Sequence, residues 1–209
     1  MKLQSIRKEY KLSVLDESSI SKNPLKQFEE WLNESFKAKV PEPTAMSVAS
    51  IGLNGFPESR IVLLKDFNRD GFTFFTNYNS NKGKSIAKNP SVGLHFFWPE
   101  LERQIRISGI AEKTPDEISD KYFISRPELS QIAAIVSNQS SKIKSREKLT
   151  KLFDEEKSKL KPFKRPDYWG GYVVKPIRYE FWQGRENRLH DRIIYEKENG
   201  NWNISRLAP

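Results

Sequence analysis

The stretch GFTFFTN, residues 71–77, decides the fold class: it is short, aromatic and β-branched, and the turn residues NRDG at 68–71 lead into it. A segment of this length cannot sustain a helix alone, and its rings and branched side chains suit a pleated surface. Working outward, AMSVASIGL (45–53), SRIVLLKDF (59–67), VGLHFFW (92–98) and RQIRISGIAEK (103–113) repeat the pattern. NGFP at 54–57 and NP at 89–90 supply further turn chemistry between them. The series predicts an antiparallel sheet that closes into a barrel.

Helical spacing frames this region. Residues 1–24 are polar, mixed in charge and weakly periodic, so they are expected to form an arm, mobile over 1–22, and not core. Pro24 precedes LKQFEEWLNESF, where Leu25, Phe28, Leu32 and Phe36 recur at helical spacing beside Trp31; the prolines of VPEP (40–43) end that helix. YNSNKGKSIAKNP (78–90) reads as a loop that starts a short helix, with Ser80, Lys82 and Lys84 near its beginning. TPDE (114–117) puts Thr114 at an N-cap, Pro115 at the first helical position and Glu117 at the third, and ELSQIAAIVSN (128–138) is a second helical run. The charged segment 145–161 predicts a surface helix with Leu149, Leu152, Phe153 and Leu160 as its stripe, closed by Pro162 and Pro166. Three strands finish the chain: GGYVVKP (170–176), RYEFWQG (178–184) continuing as RLHDRIIYEK (188–197), and NWNISRLA (201–208), with ENGN (198–201) as a hairpin turn.

Composition sets the outer limits. The 209 residues suit one sizeable domain or at most two small ones, with one as the expectation. There is no cysteine, which excludes disulfides, thiolate metal sites and cysteine nucleophiles, and His95 and His190 are the two imidazoles. No metal-ligand spacing is evident, no apolar run approaches a membrane span, and MKLQSIRKEYKLS lacks the apolar centre of a signal peptide, so a cytoplasmic protein without metal or membrane is expected. The net charge of +9 suits nucleic acid, an anionic membrane surface or phosphorylated small molecules.

Polar and basic residues interrupt the strands at a few places. Arg60 and Lys65 bracket IVLL, as solvent-facing strand ends or as a grip on a phosphate and a ring edge. Thr76, Ser80 and Lys82 surround a loop-to-helix turn, where backbone N–H groups attract phosphate. Gln104 and Arg106 lie on the strand face opposite Arg103, and Gln104 can offer a donor and an acceptor to a heterocycle or simply face solvent. Tyr122, Arg126 and Ser130 are four apart, three phosphate-compatible donors on one helical face or surface decoration. SNQSSKIKS (137–145) adds amide and hydroxyl donors beside Lys142 and Lys144. In FWQGRENRLHDR (181–192), an extended chain would point Arg188, His190 and Arg192 to one side, either as a solvated edge or as an anion-handling wall.

Taken in order, these stretches resemble the pyridoxine (pyridoxamine) 5'-phosphate oxidase family. EFWQGRENRLHDR is similar to the family's C-terminal signature, and SRIVLLK, FFTNYNSNKGKSI, LERQIRISGIAE, YFISRPELSQIAAIVSNQSS, YWGGYVV and the terminal RLAP fall in the family's order. The resemblance implies a mainly β fold with flanking helices, a split β-barrel over 23–209 that includes the signature segment 166–209. It further implies a homodimer with FMN in clefts between subunits. The implied reaction oxidises pyridoxine 5'-phosphate or pyridoxamine 5'-phosphate to pyridoxal 5'-phosphate, with molecular oxygen as acceptor and hydrogen peroxide as product. By motif, Arg60, Ile61, Val62, Leu63, Leu64, Lys65, Phe75, Thr76, Ser80, Asn81, Lys82, Gln104, Gln139, Ser140, Trp182 and Arg192 are implied at FMN. Lys65, Tyr122, Arg126 and Ser130 are implied at the substrate phosphate, Arg188 and His190 at its reacting ring, and Lys8 and Tyr10 in a covering arm. Asn81 stands where relatives often carry Arg, and Lys8 where Arg is common. Two other readings remain: a split barrel that binds flavin, haem or a vitamin B6 phosphate without oxidising it, and a basic barrel that binds nucleic acid.

Overall fold

In the computed structural model, Asn23 accepts the N–H groups of Leu25 and Lys26 and starts α1 (Pro24–Lys37), as the Pro24 signal predicts. Residues 3–5, 8–159 and 161–209 are described. The buried stripe of α1 is Phe28, Trp31 and Leu32 with Gln27 and Ser35, while Phe36, expected in that stripe, is 53% exposed. Gln27 and Ser35 can turn inward because each finds a partner: Gln27 Oε1 accepts the N–H of Ser21 at 2.8 Å, and Ser35 donates to the Leu32 carbonyl at 2.6 Å.

β1 (Ala45–Ile51), β4 (Gly71–Asn77), β5 (Ser91–Trp98) and β6 (Arg103–Lys113) follow the sequence expectation closely, whereas the single strand expected over SRIVLLKDF is two, β2 (Pro57–Leu63) and β3 (Asp66–Asn68), broken at Leu64 and Lys65. Helix α2 (Asn81–Lys88) lies between β4 and β5, and α3 (Asp116–Ser125), α4 (Glu128–Val136) and α5 (Arg146–Lys157) follow β6. Thr114 is not the cap of α3: its hydroxyl pairs with Ser119 at 2.9 Å, and Pro115 holds the cap position. Helix α5 buries no residue, as expected of a surface helix, while Leu160 of its predicted stripe falls outside the described residues.

One strand, β7 (Trp169–Gln183), replaces the two expected either side of Pro176. Its pairing with β4 ends at Val174 and its pairing with β8 (Asp191–Glu198) begins at Arg178, so the proline's missing N–H falls between the two ladders. β8 pairs with β9 (Asn201–Arg206) through a two-residue turn in which Asn199 and Gly200 both take positive φ, as the hairpin signal ENGN predicts. Hydrogen bonding orders the sheet β2-β1-β5-β6-β7-β4-β3, with β8 and β9 branching from β7.

Contacts divide the chain into two compact units. The first comprises Met1–Val48, Gly93–Gly109 and Pro176–Pro209. Its core sets α1 against the inward residues of the sheet: Phe28 meets Phe96 at 5.2 Å between ring centres, Trp31 meets Phe181 at 5.2 Å, and Phe181 meets Tyr195 at 5.5 Å. Each such ring contributes about 1.5–3 kcal/mol by leaving water. The N-terminal segment joins this unit more firmly than an arm would, since Leu15 is buried and the N–H groups of Lys11 and Leu12 donate to the buried Glu102 carboxylate. The second unit comprises Ala49–Val92 and Ile110–Lys175. Its core is Phe72, Phe74, Tyr172 and Val174 in the β4–β7 ladder, together with Phe123, Ile132, Ala134, Phe163 and Trp169 under α3 and α4.

Candidate active site

A cavity of about 520 Å3 opens in the second unit, walled by Ile61, Val62, Leu63, Lys65, Phe75, Thr76, Lys82, Tyr122, Arg126, Gln139 and Trp169, among others. The local chain dictates its polar end. Ser80, fully buried, caps α2 by accepting the Gly83 N–H, which places Lys82 in the first turn. Lys82 Nζ donates to Thr76 Oγ1 at 3.0 Å and Gln139 Oε1 at 2.9 Å. Burial, followed by the nearby Arg60 charge, holds the Lys82 pKa below the ordinary lysine value. Among the described residues Lys82 makes no ion pair, so a half-buried cation ringed by neutral oxygens and a helix N-terminus is left to meet an anion.

The other end is aromatic and carries a second cation. Tyr122 stacks on Phe75 at 3.9 Å, and Trp169 stacks with both, at 6.1 Å and 5.7 Å. Arg126 lies over the Trp169 ring at 4.6 Å, and its buried Nη1 lacks a hydrogen-bond partner. Burial lowers its pKa as well. The expected single helical face of Tyr122, Arg126 and Ser130 is not formed: α3 stops at Ser125, Arg126 is extended, and Ser130 sits in α4 outside the cavity wall. Pro127 is the cause, because the residue before a proline avoids helical backbone.

Other predicted residues of this unit stand aside. Arg60 pairs with Glu58 at 3.0 Å and donates to Ser50 at 2.9 Å, and Leu64 is buried; neither lines the cavity. Asn81 donates its N–H to Ser140 Oγ at 3.2 Å, just outside the wall. Trp169 is the notable residue that sequence reasoning missed. Its placement follows from its pairing with Asn77 in the β4–β7 register, a long-range fact; the local signal was an aromatic beside Gly170 and Gly171.

The first unit carries a separate cavity of about 560 Å3, lined by Lys8, Glu9, Tyr10, Arg185, Asn187, Arg188 and His190. Here the alternation reading of Arg188, His190 and Arg192 is overturned. Residues Glu186–Arg188 form a single 3-10 turn, Asn187 and Arg188 take φ values of 55° and 62°, and β8 starts only at Asp191. Two successive left-handed residues cost roughly 1–3 kcal/mol each, and the surroundings hold them: Asp191 binds Arg185 at 2.9 Å and Arg206 at 2.7 Å and accepts the Leu15 N–H at 3.1 Å. His190 Nδ1 accepts the Arg185 N–H at 3.1 Å, so the neutral ring carries its proton on Nε2. Burial, then the Arg188 charge, lowers its pKa from 6.5, with Asp191 opposing. Its ring packs 4.6 Å from Trp182 and 6.0 Å from Tyr10. Lys8 reaches Glu102 at 3.5 Å.

The outward sheet face of this unit brings Gln104, Trp182 and Arg192 onto neighbouring strands, with Trp182 directly opposite Arg192. Arg103 is buried on the other face, donating to Gln183 at 2.8 Å and pairing with Glu34, as the parity of the strand requires. Glu180 orients Arg192 through a 2.9 Å bond to its Nε, and Arg192 Nη1 donates to the Ala208 carbonyl at 2.8 Å. Among the described residues no group of side chains could hold a metal ion, and no helix is long and apolar enough to cross a membrane.

Comparison with known proteins agrees with this geometry. Residues 32–156 match the protein family described as pyridoxamine 5'-phosphate oxidase, and residues 169–209 match the pyridoxine 5'-phosphate oxidase C-terminal dimerisation region. The chain is 52% identical to a pyridoxine/pyridoxamine 5'-phosphate oxidase of Haemophilus influenzae and 50% identical to one of Aliarcobacter butzleri, each over 100% of both chains. Among solved structures, PhzG from Burkholderia lata 383, in complex with tetrahydrophenazine-1-carboxylic acid, superposes with a TM-score of 0.90 at 28% identity, covering 95% of this chain and 99% of that one. A pyridoxamine 5'-phosphate oxidase-related, FMN-binding protein of Nostoc punctiforme shares the fold at a TM-score of 0.75 and 15% identity, covering 91% and 100%. With full-length relatives at this level and the two family models matching most of the chain, it belongs to the pyridoxamine 5'-phosphate oxidase family and has its split-barrel fold.

Proposed function

We propose that this protein oxidises pyridoxine 5'-phosphate and pyridoxamine 5'-phosphate to pyridoxal 5'-phosphate with FMN as cofactor. Molecular oxygen accepts the electrons and becomes hydrogen peroxide; the amine substrate also takes up water and releases ammonia. The observation that carries the reading is a pair of cations in one cavity wall, Lys82 and Arg126, neither with a carboxylate partner among the described residues. A flavin carrier needs one phosphate anchor, whereas this wall offers two.

Lys82, Thr76 and the start of α2 suit the flavin phosphate, with Gln139 and Ser140 beside them. Arg126, Lys65 and Tyr122 suit the substrate phosphate, with Ser130 assigned to the same grip by motif. Bound FMN would supply the two-electron acceptor that no side chain provides. Arg188 and His190 would hold the pyridine ring and stabilise charge on it, the neutral His190 offering Nε2–H as a donor. Gln104, Trp182 and Arg192 would meet the flavin. The match of the C-terminal segment to a dimerisation region supports a homodimer, in which one subunit can complete the other's cleft. A cytoplasmic location fits this chemistry, and two dianionic phosphates in one cleft account for much of the local basic excess without invoking nucleic acid.

The likeness to PhzG favours a second reading, a polycyclic carboxylic acid as substrate, because the free Arg126 Nη1 could equally donate to a carboxylate. The 50–52% identities to vitamin B6 phosphate oxidases favour the first. Purified protein supplied with FMN, oxygen and either substrate class decides between them. Pyridoxal 5'-phosphate with matching peroxide supports the first reading, and oxidation of tetrahydrophenazine-1-carboxylic acid alone supports the second.

A further inference from the structure

We propose that His95 is a positioning residue that fixes the orientation of the Gln104 amide, and so decides which atoms of a flavin ring that amide can meet. The inference rests on the flavin reading above. His95 is the imidazole that reading leaves unused.

Gln104 alone is ambivalent, since an amide offers an acceptor at one end and two donors at the other. His95, on the adjacent strand β5, removes the ambiguity: its Nε2 lies 3.0 Å from Gln104 Oε1. A carbonyl oxygen only accepts, so the imidazole donates and the amide oxygen is engaged. The Nε2 donors of Gln104 are then the end presented to a ligand. Both side chains are half-buried on the outward face of the sheet, where position and not core packing is at stake. Arg106, two residues along the same face, does not compete, because it turns to Glu180 at 3.4 Å.

The pyrimidine edge of a flavin alternates carbonyl acceptors with one N–H donor. An amide locked with its donors outward fits a ring carbonyl and rejects the N–H, which sets how the ring slides along β6. A donor at a ring carbonyl also favours the negative charge that reduction places on that edge, so the pair raises the reduction potential of the bound flavin.

The test uses full-length protein carrying His95→Leu, His95→Gln, Gln104→Ala, or His95→Leu with Gln104→Ala. FMN affinity is read by flavin fluorescence quenching, together with the absorption spectrum and midpoint potential of bound flavin. His95→Leu is expected to weaken FMN about two- to tenfold, the worth of one neutral hydrogen bond, and to lower the potential. His95→Gln, which retains a donor, is expected to recover most of both. In the Gln104→Ala background the leucine change should add nothing, since coupled residues are not additive. Equal effects of His95→Leu in both backgrounds, or an unaltered potential, overturn this inference alone. Wild-type protein that takes up no FMN overturns the flavin reading and this inference with it.

Discussion

The guanidinium of Arg126 rests 4.6 Å from the centre of the Trp169 ring, with its Nη1 buried and unpartnered among the described residues. A buried donor on a charged group is costly unless a ligand pairs it, so the position is maintained against stability. Arg126→Met is expected to raise KM for pyridoxamine 5'-phosphate roughly ten- to hundredfold, the range for a charged hydrogen bond. The same change should leave Tm unchanged or higher. Steady-state kinetics and thermal melts check both, and a normal KM contradicts the phosphate role.

His190 should stay neutral to a lower pH than an ordinary histidine. Its pKa is lowered from 6.5 by burial and by Arg188, and protonation would also break the Nδ1 bond to the Arg185 N–H. The unfolded chain therefore binds this proton first as pH falls. The stability it contributes is complete above about 6.5 and declines as pH drops through the folded value. Arg188→Leu should move the titration upward. With two histidines in the chain, an NMR titration resolves His190, and an unmoved midpoint in that variant counts against the Arg188 effect.

Gly184 marks a close approach that no side chain would tolerate. A Cβ there would stand 2.7 Å from Tyr10 Cγ, displacing the ring from its edge-on contact with Trp182 at 5.8 Å. Gly184→Ala is expected to loosen the segment from Lys8 to Leu12 while the core persists. Trypsin should then cut at Lys8 and Lys11 several-fold faster, at nearly unchanged Tm. Equal cutting rates would show that Tyr10 does not hold the segment.

Gly200 tests backbone strain alone. Its φ is +84° and an added Cβ would meet nothing within 4 Å, so Gly200→Ala should cost about 1 kcal/mol through conformation only. Denaturant titration measures it. A loss above about 3 kcal/mol would mean that the β8–β9 turn does more than reverse the chain.

The sheet was legible because its signals are local. Rings and branched residues of β4 and β6 sit between turn residues, and the predicted and observed bounds coincide. Misreadings fall where distant residues decide. The alternation in RENRLH imitates a strand, but Asp191, tied to Leu15 and Arg206, folds it into a left-handed turn. The four-residue spacing from Tyr122 to Ser130 imitates a helix until Pro127 breaks it. Trp169 stood in the sequence only as an aromatic within YWGGYVV, because the β4–β7 register alone brings it beside Phe75. The Lys82 cradle, by contrast, was readable from a serine cap and a lysine two residues on.

The most direct measurement is anaerobic: FMN-loaded protein is mixed with pyridoxamine 5'-phosphate and, in parallel, with pyridoxamine lacking the phosphate. The expected result is bleaching of the yellow band by the phosphorylated compound, with pyridoxal 5'-phosphate formed in amounts matching the flavin, and little response to the other. A flavin that stays oxidised, or one that either compound reduces equally well, would contradict the claim that this cavity couples a phosphate grip to oxidation.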